Sequence, residues 1–403
     1  MPAILTRQTF PNFALGGDSF TPSGSVVRTV NNQKAIASYW DSGSRCYHLA
    51  RVGLTDIISA KLDDHHDIAD IRIVGDDIFF CGMNRSTHQA FLGHASVSNI
   101  EGQNPHIQFQ ELNMANTLTT RLYRLAAYDD PSSGTTRLVA VGDTWYNGTP
   151  DPNIYPCPAS PYMTECCAHI VVEYKYQYGL FTQVGNRVLN DKNGHFEYAC
   201  DVVETDSYVA VVTFPTADEL IIHRCNKSNV LGTFDYYFRY KIPSGRVVFS
   251  ACKMTGDTIA VASVFDYGGG ADDMQVRVVD LAMMSMPYAQ VFDLQDKDDI
   301  YEMVYLPDDQ RLVLLTNQTY SYSVLHHTFC FLRPYETVFP YNMEKIYEVY
   351  DRSFTSVDRL SSQHIVAAGG DYWMMKDVTY NAPRPLVMKQ KPIWSGISTR
   401  QTP

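Results

Sequence analysis

Long apolar runs are missing from this chain of 403 residues. The longest, such as YVAVVTF at 208–214, fall far short of the roughly 18 to 20 residues that a membrane-crossing helix needs. No such helix is expected. Charge is scarce as well: 19% of residues carry it, and the balance is acidic, with a formal net charge of −12. No Lys/Arg-rich run alternates with aromatics, so the electrostatic footing for gripping a phosphate backbone is absent and nucleic acid is not an expected partner. The start, MPAILTRQTFPNFALGG, lacks the charged lead and apolar stretch of a signal peptide. HExxH, GxSxG, P-loop, GxGxxG and paired CxxC patterns are all wanting, which removes the common catalytic signatures. GGGADD at 268–273 lacks the Lys-Ser/Thr that cradles phosphate and reads as a turn.

What is present is a folded, β-leaning composition: 45% hydrophobic residues, 27 Tyr and 19 Phe. The segment IRIVGDDIFFCG (71–82) reads as a half-buried strand, a tight Gly-Asp turn and a more deeply buried strand. Glycine tolerates positive φ there, and aspartate hydrogen-bonds its local backbone. The form recurs in CKMTGDTIAVAS (252–263), VVETDSYVAVVT (202–213), VYLPDDQRLVLLT (304–316) and DRLSSQHIVAAGG (358–370), and more loosely at 128–143 and 30–40. Anchored on the first apolar residue after the turn, the copies start at Ile36, Ile78, Leu138, Tyr208, Ile259, Leu312 and Ile365. Their spacings are 42, 60, 70, 51, 53 and 53 residues. A period near 50 with β content predicts an all-β, seven-bladed propeller of four-stranded antiparallel blades. One blade cannot bury both its faces alone, whereas stacked blades can.

With these repeats the chain resembles the seven-bladed β-propeller superfamily over nearly its whole length. IVAAGGDYW (365–373) is similar to a kelch blade, with only single glycines at Gly82 and Gly142 in the corresponding places, and Trp40-Asp41 is a lone WD dipeptide. The resemblance implies a divergent, partly kelch-like propeller of a kind common in extracytoplasmic bacterial proteins. One domain over 1–403 is expected, with a long loop insertion at 143–167.

Blade topology assigns DDHHD (63–67), NDKNGHFE (190–197), QDKDD (295–299) and YDRS (350–353) to connections on one face. His65, His66 and Asp67 are candidate metal ligands, and calcium is a candidate for the 191–197 loop, although no cofactor is required by any motif. Adjacent histidines on extended backbone point to opposite sides, so one of the pair should face inward. The loops between second and third strands share that face and hold many aromatics. Trp40, Trp145, Tyr146, Tyr267, Tyr320 and Trp373 are the candidates to stack on a glycan or anchor a peptide.

Nine cysteines stand in the chain. Six lie in apolar strand-like segments, and Cys157, Cys166 and Cys167 fall in the Pro-rich insertion, where a disulfide or free thiols are both open. The first functional reading is a non-catalytic propeller that binds a glycan, peptide or partner protein. The second is a polysaccharide lyase or glycoside hydrolase with Asp64, His66, His195 and Glu197 as its acid/base groups, and the third is a structural subunit. Either AILTRQTF (3–10) or NAPRPLVMKQKPIW (381–394) could complete the last blade.

Overall fold

A computed structural model describes residues 4–9, 26–41, 44–63, 65–102, 106–112, 114, 117–130, 133–147, 165–189, 198–214, 219–234, 237–241, 247–266, 272–294, 298–308, 310–320, 324–332, 344–349, 355–361, 364–369 and 372–377. The chain opens with β1 (Ile4–Thr9). Sheet one follows as β2 (Val26–Asn31), β3 (Lys34–Asp41), β4 (Cys46–Gly53) and β5 (Ile57–Lys61). Sheet two is β6 (His66–Val74), β7 (Asp77–Asn84), β8 (Gln89–Ser96) and β9 (Gln108–Glu111), with a short helix α1 (Val97–Glu101) between its last two strands. Sheet three is β10 (Thr117–Asp130), β11 (Thr135–Asn147), β12 (Glu165–Gln177) and β13 (Leu180–Val188). Sheet four is β14 (Tyr198–Glu204), β15 (Tyr208–Phe214), β16 (Glu219–Asn226) and β17 (Tyr237–Lys241). Sheet five is β18 (Val247–Lys253), β19 (Thr258–Asp266), β20 (Asp272–Asp280) and β21 (Ser285–Leu294). Sheet six is β22 (Asp298–Leu306), β23 (Arg311–Tyr320), β24 (Val324–Leu332) and β25 (Glu344–Val349). Sheet seven is β26 (Ser356–Arg359), β27 (His364–Gly369) and β28 (Tyr372–Asp377), and β1 joins it as the outermost strand. Seven four-stranded antiparallel sheets, the blades, make an all-β propeller.

All seven anchors fall in the second strand of a sheet, and six of them are fully buried. These strands read as continuous apolar runs because both faces are covered, as in Ala35 to Tyr39 and Ile78 to Met83. The turns ahead of them use the expected chemistry: Gly75 and Gly256 take φ of 62° and 58°, where a Cβ would be strained.

The chain divides into two compact units, one holding sheets one, five, six and seven with α1, the other sheets two, three and four. In the first, Val27, Ala37 and Tyr39 pack with Val366, Ala368 and Met375 between sheets one and seven. Ala262 and Val278 likewise meet Ile300 and Leu314 between sheets five and six. In the second, Phe79 and Leu92 meet Leu125, Leu138 and Val172. Val139 and Val171 meet Val202 and Val211.

A second device repeats on the innermost strands. Register slips in β6 between Ile68 and Asp70, in β10 between Leu122 and Arg124, in β14 between Ala199 and Asp201, and in β22 between Ile300 and Glu302. Each slip is a β-bulge, which adds one residue and re-aims the side chain after it. After the bulge, Asp70 accepts the Leu125 N–H of the neighbouring sheet at 3.0 Å while holding Arg72 at 2.9 Å. Glu302 does the same across sheets six, seven and one: it accepts the Val357 N–H at 2.8 Å, the Ser356 hydroxyl at 2.6 Å and Arg28 at 2.6 Å. Asp358 then accepts the Thr29 N–H at 2.7 Å. Carboxylates, buried at Asp70 and half-buried at Glu302 and Asp358, thus latch inner strands of neighbouring sheets in both units.

Candidate functional site

The DDHHD segment is partly strand rather than a loop: His66 and Asp67 open β6 and pair with Asn84 and Met83. The histidines are separated where the bend at His65 passes into the strand, with His66 buried and His65 exposed. His66 Nδ1 lies 2.7 Å from the Asp63 carboxylate, and its Nε2 is 3.4 Å from the Asn84 amide, whose nitrogen also donates to Glu111. The ring stacks on Phe109 with centroids 3.8 Å apart and meets Phe91 edge-on at 4.6 Å. Burial raises the Asp63 carboxyl, but the His66 hydrogen bond and the His65 and His66 N–H groups outweigh it and hold the group below its ordinary value. Both nitrogens of His66 are therefore spent within the protein. Asp67 pairs with Arg85 at 3.1 Å. Among the described residues no three His, Cys, Asp or Glu side chains are grouped to hold a metal ion.

In sheet three, Arg121 grips buried Asp143 from two nitrogens, at 2.8 and 2.6 Å. His169, opposite Asp143 on β12, places Nδ1 2.8 Å from the Tyr123 hydroxyl, which donates to the Ala199 carbonyl at 2.9 Å. With the tyrosine proton committed, His169 Nδ1–H is the donor. Burial pushes the His169 pKa down to about 4, with Asp143 opposing and Arg121 assisting.

Gly82 and Gly142 lie under the bulges of β6 and β10. A Cβ on Gly82 would stand 1.7 Å from the Asp67 carbonyl oxygen, and one on Gly142 2.0 Å from that of Arg121. Close backbone approach gives each single glycine a reason of its own.

Five of the aromatic candidates, Trp40, Trp145, Tyr146, Tyr320 and Trp373, are on strands, not in the loops expected for them. Trp40 is the penultimate residue of β3, half-buried, with its ring edge-on to Tyr47 at 5.5 Å. Its neighbour Tyr39 is core. Trp145 is half-buried near the end of β11, and Tyr146 follows it there. Tyr320 ends β23, and Trp373 lies near the start of β28 opposite Ala368. Tyr267, Asp64, His195 and Glu197 lie outside the described residues, as does Cys157. The insertion is also shorter than expected, since β11 runs to Asn147 and β12 begins at Glu165, placing Cys166 and Cys167 in a strand opposite Tyr146 and Trp145.

Sequence reasoning missed the hairpin that carries Trp40. Ser44 Oγ lies 3.0 Å from Asp41, 2.8 Å from His48 Nε2 and 3.2 Å from Cys46 Sγ. The Ser44 N–H also donates to Asp41 at 2.8 Å. Burial lowers the His48 pKa, with Asp41 opposing and Lys61 assisting. This polar pin fixes the hairpin and hence the Trp40 edge.

No family model matches the chain, and no curated protein matches it. Similar solved structures include Raptor from Chaetomium thermophilum, 7% identical with a TM-score of 0.51, covering 95% of this chain and 30% of that one. The Dos1 propeller is 9% identical with a TM-score of 0.45, covering 95% and 97%. YCF48 from Cyanidioschyzon merolae is 9% identical with a TM-score of 0.48, covering 88% and 95%. At such identities the likeness is one of fold.

Proposed function

We propose that this propeller is a non-catalytic binding module that takes a glycan or peptide on the sheet ends where second strands pass into third strands. The observation that carries the reading is Trp40, half-buried at that end of sheet one. Trp40 is backed by Tyr47 and held by the Ser44 hairpin pin. A tryptophan with one side braced and the other wet offers contact area with little rotamer entropy to lose. The bonded, stacked ring of His66 favours support of the face over acid/base work.

Glycan and peptide arrays probed with the full chain test this reading. Trp40→Ala should weaken the selected ligand about tenfold or more while leaving the unfolding temperature near that of the parent. Binding untouched by this substitution would remove the proposal.

A further inference from the structure

The tripeptide Asn-x-Ser/Thr, with any residue but proline in the middle, occurs four times in the chain: Asn84-Arg85-Ser86, Asn147-Gly148-Thr149, Asn226-Lys227-Ser228 and Asn317-Gln318-Thr319. It is the acceptor pattern for N-linked saccharide. A pattern this short recurs by chance, so the surroundings of each asparagine decide what it can do. The side chains of Asn147 and Asn317 lie outside the described residues, which leaves Asn84 and Asn226 to compare.

Asn84 is 6% exposed; its amide nitrogen donates to the Glu111 carboxylate and lies 3.4 Å from His66 Nε2. An amide nitrogen has two hydrogens, so a saccharide there would displace one of these partners and open the end of sheet two. Asn226 is the opposite case. It ends β16, and it, Ser228 and Asn229 are all exposed. Its amide oxygen accepts the Ser228 N–H at 3.0 Å and the Ser228 hydroxyl at 2.8 Å. A backbone N–H can only donate, so the oxygen is fixed on that side. The amide nitrogen has no partner among the described residues. The turn holds this pose: the Asn226 N–H donates to Thr233 Oγ1 at 2.7 Å, and the Asn229 N–H to the Asn226 carbonyl at 3.0 Å. Lys227, the middle residue, is drawn down onto the sheet, its ammonium paired with Glu204 and 4.7 Å from the centre of the Tyr128 ring. Asn226 and Ser228 are thus left clear on either side of it.

We propose that Asn226 is an acceptor for N-linked saccharide, taken from a polyprenyl diphosphate-linked donor by a transferase. In that step Nδ2 attacks the anomeric carbon of the donor. The N–C bond forms as the bond from that carbon to the diphosphate oxygen breaks, one Nδ2 proton passes to a base of the transferase, and the polyprenyl diphosphate departs. The Ser228 hydroxyl, bonded to the amide oxygen, fixes the amide plane with Nδ2 free for the attack. The exposed end of β16 leaves room for the product. A chain modified at Asn84 could not close sheet two, so folded protein should carry saccharide at Asn226 and none at Asn84. The site uses none of the residues of the proposed ligand face, so either idea can fail alone.

Secretion of the full chain from eukaryotic cells behind an added leader tests the assignment, because those cells supply both the transferase and its lipid-linked donor. Enzymatic release of saccharide in isotopically heavy water, followed by peptide mapping, marks each occupied asparagine as a labelled aspartate. Asn226 should be occupied and Asn84 empty in the secreted protein. Asn226→Gln and Ser228→Ala should each abolish the modification in the peptide that spans 226, whereas Ser228→Thr, which keeps the hydroxyl, should retain it. Both substituted positions are exposed, so folding should survive, with circular dichroism as the check. Protein retained in the cells is mapped in the same way, so a variant that is not secreted still reports. An unmodified Asn226 in both fractions overturns the proposal, and so does a saccharide at Asn226 that persists in Ser228→Ala.

Discussion

His169 is a buried histidine whose ring is already a hydrogen-bond donor, so adding a second proton there places charge where water cannot reach it. Its pKa is about 4 in the fold against roughly 6.5 for the unfolded chain. The unfolded state therefore binds the extra proton first as pH falls. Stability from this group is complete above the unfolded value and is lost on acidification through the folded one. The whole effect is about 3 kcal/mol. Thermal unfolding followed across that window should show a steep fall for the parent and a shallower one for His169→Gln, which keeps a donor for Tyr123. Equal slopes would assign the acid sensitivity elsewhere. Glycines divide at the same scale. Gly82→Ala must push a Cβ into the Asp67 carbonyl and should cost about 3 kcal/mol. Gly75→Ala meets nothing within 4 Å and pays only for its positive φ, about 1 kcal/mol. Denaturant titration of the two variants would show whether that contrast holds. The sequence marks both positions as glycine, but the Asp67 carbonyl that explains Gly82 comes from a strand whose bulge has no sequence signature of its own.

The inner-strand bulges give each element two tasks, pairing within its sheet and reaching into the next. Asp70 shows both, because its carboxylate serves its own Ile71 N–H and the Leu125 N–H of β10. Asp70→Ala would leave Arg72 without that partner and a buried Leu125 N–H unmet, a loss of about 3 kcal/mol. Hydrogen exchange at Leu125 should accelerate selectively, while Ile78, in the second strand of the sheet that holds Asp70, stays protected. Uniform acceleration would mean that Asp70 acts through global stability alone. The strands themselves were legible, since a Gly-Asp or similar turn followed by an apolar run marks both strand ends locally. The latches were not. Asp358 stands seven residues before its anchor, Asp70 eight and Glu302 ten, but an acid in a strand otherwise reads as a solvated face. The aromatic residues are a related case: Trp40 and Trp145 read as loop residues, whereas cross-strand pairing with Tyr47 and Cys167 keeps both inside their hairpin strands.

At the scale of the whole chain, strands far apart in sequence, β1 (Ile4–Thr9) and β28 (Tyr372–Asp377), meet in one sheet. Two segments had the composition to complete sheet seven, and local pattern could not choose between them, because strand partnership over such a separation depends on what the rest of the fold brings close. The N-terminal strand takes the place: Gln8 pairs with Trp373 and Arg7 with Met374. β28 would otherwise be an outer edge with unpaired backbone groups. Removing residues 1–9 should therefore lower the unfolding temperature and speed hydrogen exchange first in β28, then in β27. Loop closure adds little to the loss, since that entropy grows only slowly with length; the ladder and its burial carry it. A synthetic peptide of sequence AILTRQTF supplied to the truncated chain should re-form the ladder by strand addition and recover much of the stability. Recovery by this peptide, but not by one with Arg7 and Thr9 changed to proline, would tie the effect to backbone pairing, because proline cannot donate to the ladder. Equal rescue by both peptides would point instead to side-chain burial as what holds β1 on β28.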